Sequence, residues 1–315
     1  MKPKMTHPFL QKIKDAARKK PARVLFAEGS EPRVMEAAKL ILEEGVAIPL
    51  LVKVPSADPR FQEMAALYAK LREKTIEEAR EATMNAHVFA TLLLKAGHAD
   101  ALISGPSAAS KERMLPAFQI IRAKEEGHKA SAYFTMLLPK TVSEDAGNGG
   151  VLLFADCAVN IEPSVETLAQ IAIDTAESAK ALGIDPKVAM LSFSTEGSSD
   201  HPKALRIREA AAMVHKQRPD LLVSNDMQAD AALIDSIGES KAHENIIAGH
   251  ANVLIFPDLE SGNIAYKLVE RLANAQAIGP IIQGLNQPVN ELSRGCDAED
   301  IVNLAALTSA LIKQS

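Results

Sequence analysis

Near the end of the chain a hydroxyl, a guanidinium and carboxylates gather around a glycine, in Ser293, Arg294, Gly295, Cys296, Asp297 and Asp300. An arginine fork can take two anionic oxygens at once, a geometry that lysine does not reproduce. A plainer reading needs no chemistry. Ile301, Leu304, Ala305, Thr308, Leu311 and Ile312 follow at helical spacing. Asp297 then serves as the N-cap and Asp300 sits in the first turn, where the helix dipole favours a carboxylate. From spacing alone, the plainer reading is preferred.

A second group lies in the stretch from Ser192 to Ser199, where Ser192, Ser194, Thr195, Gly197 and Ser198 offer hydroxyls and backbone N–H groups. The first N–H groups of a helix lack internal partners and attract anions, so a loop here at a helix start could hold phosphate. The chain contains neither GxxxxGK[ST] nor GxGxxG, so no nucleotide fingerprint supports it, and from these residues alone a simple cap and turn is the preferred reading. Cys296 beside Arg294 has the setting of an activated thiolate but no evident His partner, which makes it structural. His201, between Asp200 and Pro202, reads as a loop residue. No HxxxH, HxH or CxxC spacing suggests a metal, and Asp226 with Asp230 reads as a solvated helix face.

These residues sit at the ends of short apolar runs: 23–27, 48–52, 101–104, 151–154, 188–191, 221–223 and 253–256. Runs without alternation predict strands buried on both faces, as in a mainly parallel sheet. Longer stretches of helical period separate them, one opening at Ser30 as a cap with Pro32 in the first turn. The alternation predicts α/β architecture, with ligands gathered beyond the carboxyl ends of the strands. No internal repeat or low-complexity linker interrupts it.

The 315 residues suffice for one large α/β domain or two ordinary ones, and 47% are apolar, enough for a full core. Aromatics make up 4% with no Trp, the formal charge is -5, and Arg18-Lys19-Lys20 is the densest basic run. Base-stacking surfaces are therefore not expected, and no nucleic-acid partner is. Residues 1–20 lack the apolar run of a signal peptide, and no run of eighteen apolar residues occurs, so no membrane partner is expected. A cytoplasmic protein is the expectation.

The order of several segments carries a resemblance. Leu153-Phe-Ala-Asp156 and Val188-Ala-Met-Leu-Ser-Phe-Ser194 precede Ala251-Asn-Val-Leu-Ile-Phe-Pro-Asp258, Gly279-Pro-Ile-Ile-Gln-Gly284 and Leu292-Ser-Arg-Gly-Cys296. From about Pro21 onward the chain resembles the phosphate acetyl/butyryltransferase family. The resemblance implies two α/β domains with mainly parallel sheets and a cleft between them, usually in a homodimer. The first domain would hold 1–127 plus 289–315, the final helix returning to it, and the second 128–288. It implies reversible acetyl transfer between CoA and inorganic phosphate, with CoA, acetyl-CoA and acetyl phosphate as substrates and no prosthetic group or metal. By motif, Asp300 is the base for the CoA thiol, Arg294 binds the anionic substrate or coenzyme, Ser293 stabilises the transition state, and Arg72 is a second substrate arginine.

Three departures bear on the pocket. Leu115 stands where the family carries a substrate arginine, so either Arg113 or Lys111 replaces it from an adjacent turn or the activity is altered. Ser224-Asn-Asp226 replaces a usual Asp-Gly-Glu, and Glu73-Lys-Thr75 replaces a turn that commonly contains glycine. Beside the acetyltransferase stand a transferase of longer acyl groups, an acetyl-CoA-sensing module without catalysis, and an α/β oxidoreductase needing carboxylate-bound Mg²⁺.

Overall fold

The structure, a computed structural model, describes residues 7–107, 110–141, 147 and 149–312, with backbone only at 110–112. Its strands are β1 (Ala22–Phe26), β2 (Ala47–Leu51), β3 (Ala101–Ser104), β4 (Ser131–Leu137), β5 (Val151–Ala155), β6 (Lys187–Leu191), β7 (Leu222–Met227), β8 (Val253–Ile255), β9 (Gln276–Gln283) and β10 (Val289–Glu291). The chain forms two compact units: Pro8–Gly127 with the described part of Leu285–Ser315, and His128–Gly284 with His7.

In the unit that includes the C-terminal segment, the strand order is β2-β1-β3-β10, and every neighbouring pair is parallel. Val24 faces Ala101 and Leu102 faces Val289, so the carboxyl ends of β1, β3 and β10 lie side by side. The apolar runs of β1 and β3 are buried as their lack of alternation requires. Helix Ala298–Ile312 is apolar on every side, and all residues from Ile301 to Ala310 are buried. Such a helix belongs inside a core. It packs on helices Pro8–Lys19 and Pro32–Glu44 and on the sheet, where Ser309 Oγ accepts the Ala22 N–H at 2.9 Å and Asn290 donates to Thr308 Oγ1 at 2.7 Å.

The other unit orders its strands β9-β4-β5-β8-β6-β7. From β5 to β7 the pairs are parallel, whereas β4 runs antiparallel to both β5 and β9. The α/β expectation holds. Strands β4, β9 and β10 are additions to the runs read from sequence, for a physical reason. All seven residues of β4 are buried, yet Ser131, Tyr133 and Thr135 break its apolar character. For Ser131 burial is made tolerable by a side-chain bond: Gln283 donates to its Oγ at 2.9 Å, and also to Thr175 Oγ1 of a neighbouring helix at 2.8 Å.

One cap is also corrected. Helix Pro32–Glu44 is capped by Glu31, not Ser30; its Oε2 accepts the Val34 N–H at 3.1 Å. Glu31 is favoured because its second oxygen also takes the Arg33 guanidinium at 2.7 Å. Among the described residues no helix is long and apolar enough to cross a membrane.

Candidate active site

The carboxyl ends of β1, β3 and β10 bring three loops together. The Leu292 N–H bonds Ser104 O at 2.8 Å, and Ser107 Oγ donates to Glu28 Oε1 at 2.6 Å. Two residues beyond β10 the chain turns through Ser293, Arg294 and Gly295, all exposed, before burying Cys296. The Cys296 N–H closes the turn on Ser293 O at 3.2 Å. Asp297 and Asp300 then cap the terminal helix reciprocally. Asp297 Oδ1 accepts the Asp300 N–H at 2.9 Å, and Asp300 Oδ2 accepts the Asp297 N–H at 3.1 Å. The capping role read from the spacing is thus real. It sits within seven residues of the exposed Ser293 and Arg294, where the chain passes from β10 into the terminal helix.

Two arginines hold this turn from behind. Arg33 Nη1 donates to Arg294 O and to Cys296 O, each at 2.9 Å. Arg113 is 2% exposed; its Nη1 donates to Leu292 O at 2.8 Å and its Nη2 pairs with Glu291. That placement corrects the expectation for Arg113 as a substrate ligand. A guanidinium so buried, paired with a carboxylate and bonded to a carbonyl, is committed to the scaffold, and exposing it would strand Glu291 unpaired. Leu115, two residues on, is 44% exposed, and the side chain of Lys111 lies outside the described residues. Burial pushes the Cys296 thiol up to about 11, against the opposing pull of Arg33. A thiol so raised is neutral near pH 7 and is no nucleophile.

Arg72 ends helix Phe61–Arg72, partly exposed and without a described hydrogen bond or ion pair. The next residue, Glu73, takes a left-handed φ of 53°. Glycine takes that conformation without strain, which accounts for glycine being common in the family's turn. No described contact joins Arg72 to the Ser293 turn.

The loop 192–199 belongs to the other unit, and its amides are already spent. Ser194 N bonds Ser192 Oγ, Thr195 N bonds Ser198 Oγ, Gly197 N bonds Asp226 Oδ1 and Ser199 N bonds Ser194 Oγ, at 3.0–3.2 Å. Glu196 N and Ser198 N go to Asp226 O and Thr195 O. The helix itself begins only at Pro202, capped by His201 Nδ1 on the Lys203 N–H at 3.2 Å. The anticipated cradle of N–H groups at a helix start is therefore absent here. A buried carboxylate, Asp226, occupies the place of the anion, and a phosphate beside it would be repelled. Asp226 is accordingly a loop anchor rather than part of a solvated face. The hydroxyls of Ser192, Ser194, Thr195 and Ser198 are likewise engaged within the loop and on Gln228, and Ser194 and Thr195 are buried.

Arg33, Glu31, Glu28 and Ser107 were not singled out in the sequence. The Arg33 clasp spans 261 residues, and no local pattern signals a contact of that separation. A Glu-Pro-Arg opening of a helix reads as a cap and nothing more.

Parallel strands leading into an exposed Ser293–Arg294 turn and a doubly capped terminal helix define an α/β protein with a polar turn beyond the carboxyl ends of its strands. Residues 8–309 match the family model for phosphate acetyl/butaryl transferase. The phosphate acetyltransferase of Thermoanaerobacterium thermosaccharolyticum is 41% identical over 96% of this chain and 98% of its own length. That of Clostridium acetobutylicum is 40% identical over 95% and 97%. A phosphotransacetylase structure from Streptococcus pyogenes superposes with a TM-score of 0.89 at 37% identity, covering 99% of this chain and 100% of that one. The chain belongs to the phosphate acetyl/butyryltransferase family. It is an acyltransferase of the phosphate acetyltransferase type.

Proposed function

We propose that the chain transfers acetyl reversibly between CoA and inorganic phosphate by direct attack of the CoA thiolate on acetyl phosphate. The observation that carries the reading is the exposed Ser293–Arg294 turn. Its arginine has no carboxylate partner among the described residues, and Asp300 follows six residues later in the first turn of the terminal helix. Asp300 takes the thiol proton, the new C–S bond forms as the C–O bond to phosphate breaks, and phosphate leaves with the bonding pair. Ser293 Oγ and Arg294 hold the oxygens that gain charge.

Magnitudes constrain the proton step. A thiol of pKa about 8.5 and an aspartate of about 3.9 make full transfer uphill by roughly 6 kcal/mol. Proton removal is therefore concerted with attack, and a neighbouring arginine narrows the gap by stabilising the thiolate. No enzyme nucleophile takes part, in keeping with the raised Cys296 thiol. Arg72 contributes a second cation for CoA or phosphate; of the loop hydroxyls, those of the less buried Ser192 and Ser198 can supply polar contacts, while Ser194 and Thr195 hold the loop's shape. Gly197 contributes only chain curvature. The active molecule is a homodimer in the cytoplasm, without prosthetic group.

Phosphorolysis of acetyl-CoA by the purified protein, with Arg294→Ala and Asp300→Asn in parallel, tests the assignment. Turnover in the wild type and a loss of about 10²-fold or more in both variants is the expected result. Undiminished turnover in Asp300→Asn removes it as the base. The commitment of Arg113 and the exposure of Leu115 favour a second reading, an acetyl-CoA sensor without turnover. Calorimetric binding of acetyl-CoA by a wild type that does not turn over would establish it.

A further inference from the structure

The turn from Leu292 to Cys296 divides its polar groups in two. Four of its carbonyls are occupied. Leu292 O takes Arg113, Ser293 O takes the Cys296 N–H, and Arg294 O and Cys296 O both take Arg33 Nη1. The other side of the division has no partner among the described residues: the N–H groups of Ser293, Arg294 and Gly295, the Ser293 hydroxyl and the Arg294 guanidinium. Successive N–H groups in a turn form an anion-binding concavity when their carbonyls are drawn elsewhere.

Charge separates the three arginines by task. Arg33 is balanced by Glu31, with Nε on Oε1 at 2.7 Å, and Arg113 by Glu291. Arg294 has no such carboxylate. A cation already neutralised on its own scaffold adds little to the field at an anion, but its fork is held rigidly. Arg33 therefore has the makings of a brace and Arg294 those of a ligand. The brace is also fixed at its root. Glu31 is at once the partner of Arg33 and the cap of helix Pro32–Glu44, so the guanidinium is referred to the end of a helix and not to a mobile loop.

We infer that Arg33 is a positioning residue for acetyl transfer: by clasping the carbonyls of Arg294 and Cys296 it keeps the donors of residues 293–295 turned out for the anionic oxygens of the acyl phosphate. The inference rests on the acetyltransferase reading and deepens it. Lysine at this position would carry the charge but has no second nitrogen to hold Glu31 while the first bonds the two carbonyls. The carbonyls released by its loss would be free to rotate, and a shift of about 1 Å at such donors lowers a rate by about 10²-fold.

A double-mutant cycle between Arg33→Gln and Arg294→Ala separates positioning from mere support. The readouts are kcat for acetyl-CoA phosphorolysis and CoA affinity by calorimetry, with thermal melting to confirm that each protein is folded. Arg33→Gln is expected to lose about 10²-fold in kcat. The double variant is expected to fall no lower than Arg294→Ala alone, because the brace acts through the turn. Added guanidinium ion is expected to restore part of the turnover of Arg33→Ala. Losses that multiply in the double variant overturn the inference, as does a folded Arg33→Gln protein with wild-type kcat. Should Arg33→Gln fail to fold, Glu31→Gln takes its place in the cycle, with a smaller loss that again disappears on the Arg294→Ala background. A wild type without turnover would sink the acetyltransferase reading instead. The cycle is then read on CoA affinity alone, where coupled losses sustain the brace and multiplying losses overturn it.

Discussion

Asp300 carries two demands on one carboxylate. Oδ2 is bonded to the Asp297 N–H, and the same group is the proposed proton acceptor. Both roles draw on the same carboxylate, so the thiol proton must be taken on a lone pair that the cap bond leaves open. Cys296, four residues away, makes the opposite case. Its thiol is pushed up to about 11 by burial, so at pH 8 about one in a thousand is thiolate. Alkylation by iodoacetamide at pH 8 is expected to be about 10²-fold slower than that of free cysteine, measured by mass spectrometry at Cys296. The same shift has a consequence for stability. The folded state holds this proton more tightly than the unfolded chain, whose thiol titrates near 8.5. The stabilisation is complete below about pH 8.5 and is lost as pH rises toward 11. Urea midpoints between pH 7.5 and 10.5 should therefore fall more steeply for the wild type than for Cys296→Ala; parallel declines would contradict it.

At the scale of elements, the terminal helix joins stability to the site. Its N-terminus is tied by Asp297 and Asp300, and its apolar body is buried in the core of its own unit. Replacing Asp297 with Ala removes a cap and is expected to cost about 1 kcal/mol in chemical denaturation, with Asn restoring most of it. Asp300 would lose its reciprocal partner in the same variant, so kcat should change along with stability. Equal kcat in Asp297→Ala would show that the cap does not orient the base. The Ser192–Ser199 loop shows the reverse relation between element and site. It has the composition of a phosphate cradle, yet its amides close on its own hydroxyls and on Asp226. Composition alone could not reveal that commitment, because the Asp226 contact comes from β7, some thirty residues away.

At the scale of the molecule, two α/β units carry the residues, one holding the Ser293 turn and Arg72, the other the 192–199 loop. The homodimer proposed above is checked by sedimentation, where a mass twice the 33.8 kDa of one chain is expected. A monomer at micromolar concentration would remove it. Strand content shows how far the chain could be read in advance. The runs 23–27, 101–104 and 151–154 were legible because parallel strands buried on both faces are apolar throughout. Strand β4 was not, since its buried hydroxyls look like those of a loop until their partners are known. Strand β10 was too short, at three residues, to stand out from its surroundings.

The sequence by itself determined the α/β class, the family, and the cap that Asp297 and Asp300 make at the start of the terminal helix, because those depend on local pattern and on neighbours along the chain. Only the tertiary structure decided what each arginine is free to do. Arg113 and Arg294 are the same residue type, but one is buried on Glu291 and Leu292 O while the other has no carboxylate among the described residues. A side chain's availability depends on which groups the fold sets against it, and here those groups come from nearly 180 residues away for Arg113 and from 261 away for Arg33.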